Sequence, residues 1–422
     1  MTARDFAQWG AYEDAVLVLK QCTKKYPMLY YYAAYYEEKM GEDEAAKKSL
    51  EKAESCAFDY CFPNKLDDIA VLTFAIENGC KKKAPYYLGN LFYDKLQWKK
   101  SVELWEMSEK ADDTFSIVHR NLALAYYNKM GDSKAAKREL EKAFSLNRKD
   151  ARIFLELDQL YKKLGYSFKE RLAKYDEDPS LAESRDDLYI EYITLMNMCG
   201  EYERAYRCIM GRRFHPWEGG EGKITTQYTI SLLEMAKQCL ASEKYEQAEK
   251  LLKKALVYPE NLGEGKLEGT KDNHLFYHLG LALEAQGKHD EAKTCFETAT
   301  IGTDEPAGAM YYNDQPADMI LYQGLAFEKL GKTREAKSRF YRLIDYGEQH
   351  LNDEGKIEYF AVSLPDFLIF DEDYTKKNRA HCCYLMALGN IGLQNREKAA
   401  EFLNEALEIE PSHMMATLYQ KQ

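Results

Sequence analysis

The stretch "RRFHPWEGGEGK", residues 212–223, concentrates side chains that can bind a ligand within one short connection. Its proline and three glycines cannot continue a helix, and glycine allows close approach of the backbone to a ligand. The candidate binding residues are His215, Trp217, Glu218 and Glu221. The indole offers a stacking face, and the carboxylates can accept hydrogen bonds from sugar hydroxyls or pair with a cationic partner. The alternative is a structural turn with the indole packed between helices.

Two further stretches have a similar character. "AGAMYYNDQPADM" (307–319) precedes a predicted helix for which Asp318 suits the N-cap, and its pocket candidates are Tyr311, Tyr312, Asn313 and Asp314. "AVSLPDFLIFDEDYTKKNRAHCCYL" (361–385) contains Asp366, Asp371 and Arg379. The acidic triplet 371–373 suits a helix start and a solvated face as well as a site. Whether the three stretches converge on one pocket is left open.

No catalytic motif accompanies these residues. The chain lacks a GxSxG elbow, a GxxxxGK[ST] loop and a GxGxxG turn after a strand. Carboxylate pairs such as Glu218 with Glu221, or Asp366 with Asp371, suit glycosidase chemistry only at defined separations, which a sequence does not supply. We therefore assign no catalytic residue and leave enzymatic activity open, with a non-enzymatic role favoured for this chain alone.

The composition and the net charge of the chain exclude several classes of partner and cofactor. The 422 residues carry a formal charge of −12, which argues against nucleic acid. The ten cysteines form no CxxC pair, and His274 and His278, one helical turn apart, lack the HExxH glutamate, so neither metal nor cofactor is expected. No basic, apolar leader and no membrane-spanning stretch is visible, which predicts a cytoplasmic location.

The segments around these candidate residues follow a repeating pattern that predicts helical hairpins. "GKHDEAKTCFETA" (287–299) and "GKTREAKSRFYRL" (331–343) repeat one pattern: a turn glycine, an alanine five residues later, and a phenylalanine four residues after that. The glycine ends one helix, the alanine allows the second to approach closely, and the phenylalanine fills the core between hairpins. Related copies occur along most of the chain.

These residues resemble the tetratricopeptide repeat, whose unit is about 34 residues. The resemblance implies an all-α fold, a right-handed superhelix of about nine to eleven helical hairpins. We expect N-terminal repeats over 1–200, the first of them truncated, and C-terminal repeats over 201–422 with inserted loops at 211–223, 259–273, 302–318 and 347–379. The same resemblance implies that the chain is a scaffold that binds a protein, a peptide or an adjacent domain.

Residues 200–422 also resemble, more narrowly, the C-terminal helical portion of large bacterial proteins with an upstream β-rich domain of unknown function. The motifs that carry this resemblance are "RRFHPWEGGEGK", "YYNDQP" and "SLPDFLIFDEDYTKKNRAHC". It implies a fragment of a bacterial cytoplasmic protein acting near carbohydrate. The alternative function is therefore a carbohydrate-binding helical module, or the helical half of a carbohydrate-active protein, with a pocket around Trp217, Asn313 and Asp366.

Overall fold

A computed structural model of the chain describes residues 2–215, 217, 219–308, 315–355 and 369–421. All regular structure in these ranges is helical, which confirms the predicted all-α class. None of the described helices combines the length and the apolar character that a membrane crossing requires. The chain forms two compact units, residues 1–157 and 158–422, which divide within one helix.

The first unit is built from consecutive helices joined by short turns. They are α1 (Ala3–Gln8), α2 (Tyr12–Lys20), α3 (Pro27–Lys39), α4 (Asp43–Ser55), α5 (Leu66–Glu77), α6 (Lys83–Asp94), α7 (Trp98–Ala111), α8 (Ser116–Ala125), α9 (Ser133–Leu146) and α10 (Ala151–Lys163). A π-helical turn, Tyr126–Met130, extends α8. Helix α10 crosses the division between the units.

The second unit continues the same plan. Its helices are α11 (Phe168–Glu177), α12 (Pro179–Glu183), α13 (Asp186–Met198), α14 (Tyr202–Met210), α15 (Lys223–Ala241), α16 (Tyr245–Ala255), α17 (Asn273–Ala285), α18 (His289–Ala299), α19 (Met319–Lys329), α20 (Thr333–His350), α21 (Tyr374–Gly392), α22 (Arg396–Ile409) and α23 (Met414–Gln420). A 3₁₀ turn, Glu260–Leu262, follows α16.

The repeat pattern explains the hairpin packing. In the α19–α20 hairpin, Gly331 adopts a positive φ of 74° where α19 ends, and Ala336 is fully buried. Phe340 is also fully buried, and a Cβ added to Gly324 would lie 2.2 Å from its ring. A side chain at position 324 would therefore displace the phenylalanine, so the glycine lets α19 and α20 approach closely. The α17–α18 hairpin repeats this contact between Gly280 and Phe296.

The predicted hairpin array is confirmed within the described ranges. Consecutive helices pack as the pairs α1–α2, α3–α4, α6–α7, α8–α9, α13–α14, α15–α16, α17–α18, α19–α20 and α21–α22. The predicted loop 347–379 is shorter at both ends, because α20 runs to His350 and α21 begins at Tyr374. The predicted division between residues 1–200 and 201–422 stays a prediction.

Helix α23 connects the two ends of the second unit. Leu418 packs with Met198 of α13 and Ile230 of α15 in one apolar cluster. The Tyr419 hydroxyl donates to the Tyr322 hydroxyl of α19, with an oxygen–oxygen distance of 2.7 Å. The Lys421 ammonium donates to the carbonyl of Met198. The last helix and the lysine after it thus contact α13, α15 and α19, and we call this set of contacts the ring closure.

Candidate functional site

The loop 211–222 is fixed by the second inserted loop. Phe214 donates its backbone N–H to the carbonyl of Asn261, at 2.8 Å. The Asn261 side-chain amide donates in turn to the carbonyls of Ile209, at 2.8 Å, and Arg212, at 2.9 Å. Two of the predicted insertions, 211–223 and 259–273, therefore support each other.

Asp186, at the start of α13, is the centre of the polar contacts in this region. One of its carboxylate oxygens accepts from the Arg212 guanidinium, and the other from the backbone N–H of His215 at 2.8 Å. The His215 Nδ1 atom lies 3.3 Å from the second oxygen, and this side chain is 78% exposed. An open pocket of about 500 Å³ is lined by Ser184, Arg185, Asp186, Asp187, Arg212, His215 and Trp217.

Trp217 lies half-buried at the edge of this pocket. A Cβ at Gly220 would come within 2.2 Å of the indole, so the ring packs directly on the glycine backbone. The Lys223 ammonium lies 5.8 Å from the ring centroid, a cation–π distance. Glu221 accepts from the backbone N–H of Gly219 at 2.8 Å, so one oxygen of this candidate ligand carboxylate stabilises the loop itself.

Glu264 is a contributor that the sequence reasoning missed. Its carboxylate accepts from the backbone N–H of Gly222 at 2.9 Å, immediately before α15 begins. Burial, together with the nearby Glu221, raises the pKa of Glu264, although the hydrogen bond from Gly222 opposes this. Only its position in a glycine-rich insertion pointed to it.

The other predicted site residues are less informative. Six lie outside the described residues: Glu218, Tyr311, Tyr312, Asn313, Asp314 and Asp366. Asp371 is exposed just before α21, and Arg379 of α21 donates to Glu405 of α22 at 2.8 Å. Whether the three loops converge on one pocket therefore stays as open as the sequence leaves it.

Two acidic groups near these loops are structural. Asp318 stands at the N-cap of α19, as expected, but its side chain makes no capping hydrogen bond and is buried, 3.5 Å from the Tyr384 hydroxyl. In the 371–373 triplet, Asp373 caps α21, whereas Glu372 is nearly buried between Lys163 and Lys377. The triplet thus combines a helix cap with a buried ion pair.

The described residues contain two histidine arrangements of interest for metal binding. In the pair one helical turn apart, for which the sequence predicts no metal, His278 Nδ1 donates to the His274 carbonyl at 2.7 Å, and burial lowers the pKa of both imidazoles to about 3. A second arrangement was not predicted: Glu109, His119 and Glu139 place ligand atoms within 4.8 Å of one another.

Comparison with protein families identifies the repeats. One model of the tetratricopeptide repeat matches residues 121–150, 274–300 and 380–413, and a second model of the same repeat matches 318–346. These segments correspond to hairpins in both units. The chain therefore contains tetratricopeptide repeats.

The solved structures similar to this chain include two described as tetratricopeptide repeat proteins or domains. The TPR domain of P58(IPK) is 13% identical over 100% of this chain and 97% of its own, with a TM-score of 0.26. A tetratricopeptide repeat protein from Parabacteroides merdae is 18% identical over 67% of this chain and 96% of its own, with a TM-score of 0.28. Naa15/Naa10 bound to HypK-THB is 13% identical over 99% of this chain and 59% of the matched chain, with a TM-score of 0.35.

Proposed function

We propose that this chain is a protein-interaction scaffold of the tetratricopeptide type, and that its first unit binds an extended peptide segment. Repeat solenoids bind through the extended concave surface that their stacked hairpins create. The observation that carries the proposal is the set of repeats identified in both units. We retain the bacterial source and cytoplasmic location as proposals.

A row of polar side chains in the first unit supports the choice of surface. The side-chain amide of Asn121, in α8, donates to the side-chain oxygen Oδ1 of Asn90, in α6, at 3.1 Å. Arg120 donates two hydrogen bonds to Glu156 of α10, at 2.7 and 2.6 Å. Asn90, Arg120 and Asn121 are all half-buried, so solvent reaches them. Amide side chains carry both donors and acceptors, which suits the alternating N–H and C=O groups of a peptide.

The test is a selection of random-sequence peptides on the intact chain, followed by fluorescence anisotropy with the synthesised binders. We expect saturable binding that weakens about tenfold or more in Asn121→Ala, because losing one or two hydrogen bonds within a binding surface costs about 1–3 kcal/mol. Asn147→Ala is the matched control, since Asn147 is exposed at the end of α9. Binding that is indifferent to Asn121 would exclude this surface, and a failed selection would count against the scaffold itself.

A second candidate, favoured by the Trp217 pocket, is carbohydrate binding. The pocket combines an indole, a hydroxyl and carboxylates, namely Trp217, Ser184, Asp186 and Asp187. Such groups stack on sugar rings and accept hydrogen bonds from sugar hydroxyls. The contacts of Trp217 with Gly220 and Lys223 cover part of its ring. A ligand would therefore contact the edge of the indole and the polar side chains that line the pocket.

A thermal-shift screen with mono- and oligosaccharides tests this candidate. A sugar at about 100 times its Kd adds roughly 2.7 kcal/mol to the free energy of unfolding. That shift should vanish in Trp217→Ala and persist in Trp9→Ala, because Trp9 lies in the first unit and is 69% exposed. Equal shifts in both variants would show that the sugar binds outside this pocket.

A further inference from the structure

Three helices of the first unit bring Glu109, His119 and Glu139 together. Glu109 lies near the end of α7, His119 in α8 and Glu139 in α9. The side chains of His119 and Glu139 are 1% and 4% exposed, and that of Glu109 is 27% exposed. The cluster is therefore inside the hairpin packing but open to solvent on the Glu109 side.

The hydrogen bonds of His119 determine which nitrogen faces the carboxylates. Nε2 lies 3.0 Å from the carbonyl oxygen of Asp113, and a carbonyl only accepts, so Nε2 carries a proton. Nδ1 lies 2.7 Å from Glu139 Oε2 and 3.8 Å from Glu109 Oε1. In a neutral imidazole this Nδ1 has a lone pair directed at two carboxylates, an arrangement that requires a cation at that position.

A proton or a metal ion can supply that cation. A histidine that ligates a metal usually donates its other ring N–H to a carbonyl or carboxylate, as His119 does to Asp113. Tetrahedral zinc, with bonds of about 2.0–2.1 Å to nitrogen and oxygen, separates its ligand atoms by about 3.3 Å. The distances of 2.7 and 3.8 Å from Nδ1 lie on either side of that separation.

We propose that Glu109, His119 and Glu139 form a binding site for a divalent transition-metal ion, with zinc as the best match. One imidazole and two carboxylates are suitable ligands for zinc, and the open side near Glu109 leaves a fourth position for water. Arg138 contacts Glu139 Oε1, at 2.7 Å, so Oε2 is the oxygen directed at the site. The positive charge of Arg138 reduces the affinity. The site is independent of the proposed scaffold function.

Isothermal titration of the chelator-treated, full chain with Zn²⁺ alone tests the proposal. The key variant is Glu109→Gln, which removes a ligand but retains the contact between His119 and Glu139. We expect one Zn²⁺ per chain at this site and at least a tenfold loss of affinity in the variant. Glu103→Gln is the matched control, because Glu103 is an exposed glutamate of the same helix. It should bind Zn²⁺ as the parent does.

Co²⁺ provides a second measurement because its visible spectrum reports the ligands. The expected spectrum has the d–d bands of a nitrogen and oxygen site without the charge-transfer band of a thiolate, and it should be lost in Glu109→Gln. No saturable uptake by the parent would overturn the site and leave a protonated His119 between its acceptors. Uptake that survives Glu109→Gln, or a thiolate spectrum, would overturn it in favour of another ligand set such as the free cysteines.

Discussion

Replacing His278 tests the buried interior of the second unit. His278 is 9% exposed, and burial, with a smaller contribution from Lys237, lowers the pKa of its imidazole from 6.5 to about 3. Below pH 6.5 the unfolded chain binds a proton at this residue and the folded chain does not. The free energy of unfolding therefore decreases as the pH is lowered from 6.5 to about 3. At pH 5, about 1.5 pH units below 6.5, this protonation lowers the free energy of unfolding by about 2 kcal/mol.

The assay is urea unfolding at pH 7.5 and pH 5, followed by circular dichroism. His278→Asn preserves a donor near the position of Nδ1, which bonds the carbonyl of His274. We expect the stability lost between the two pH values to be smaller by about 2 kcal/mol in this variant than in the parent. His289→Asn, at an exposed position, should behave as the parent does. Equal losses in His278→Asn and the parent would refute the reasoning.

Three other substitutions probe the same unit by urea unfolding. Asp318→Asn should raise stability at pH 7.5 by up to about 3 kcal/mol, because burial raises the pKa of Asp318 from 3.8 to about 6 and the ionised carboxylate is therefore unfavourable in the folded state; an unchanged midpoint would contradict this. Gly324→Ala should lower stability by about 1–3 kcal/mol through its clash with Phe340, and retained stability would mean that the ring moves freely. Arg171→Met should lower it by about 3–5 kcal/mol, because Asp158, whose side chain is 2% exposed, loses its bidentate partner. A loss below 1 kcal/mol would show that Asp158 is protonated or solvated in the variant.

The hairpins were predictable from the repeated spacing of small and aromatic residues. Ala336 and Phe340 recur at the offsets of Ala292 and Phe296, and all four side chains are buried. Local spacing suffices here because each hairpin is closed by residues less than about 34 positions apart. The loop at 211–222 was also predictable, because Pro216 and its glycines exclude a helix.

The partners of the loop were not predictable. Asp186 precedes His215 by 29 positions, and Glu264 follows Gly222 by 42. The same holds for the contact of His119 with Glu139, 20 positions apart on different helices. Such pairs depend on how hairpins stack, and a chain with 70 acidic residues contains many equivalent candidates.

The ring closure changes how the second unit should unfold. In an open solenoid each repeat contacts only its neighbours, so terminal repeats fray while the middle persists. Here Lys421 bonds to Met198, 223 positions earlier, and Leu418 packs on Ile230. Because both ends are held, loss of one hairpin also breaks this long-range contact, and partial opening becomes less favourable than in a linear array. The second unit should therefore exchange its amide hydrogens as one cooperative block, with the terminal helix α23 protected as strongly as α19.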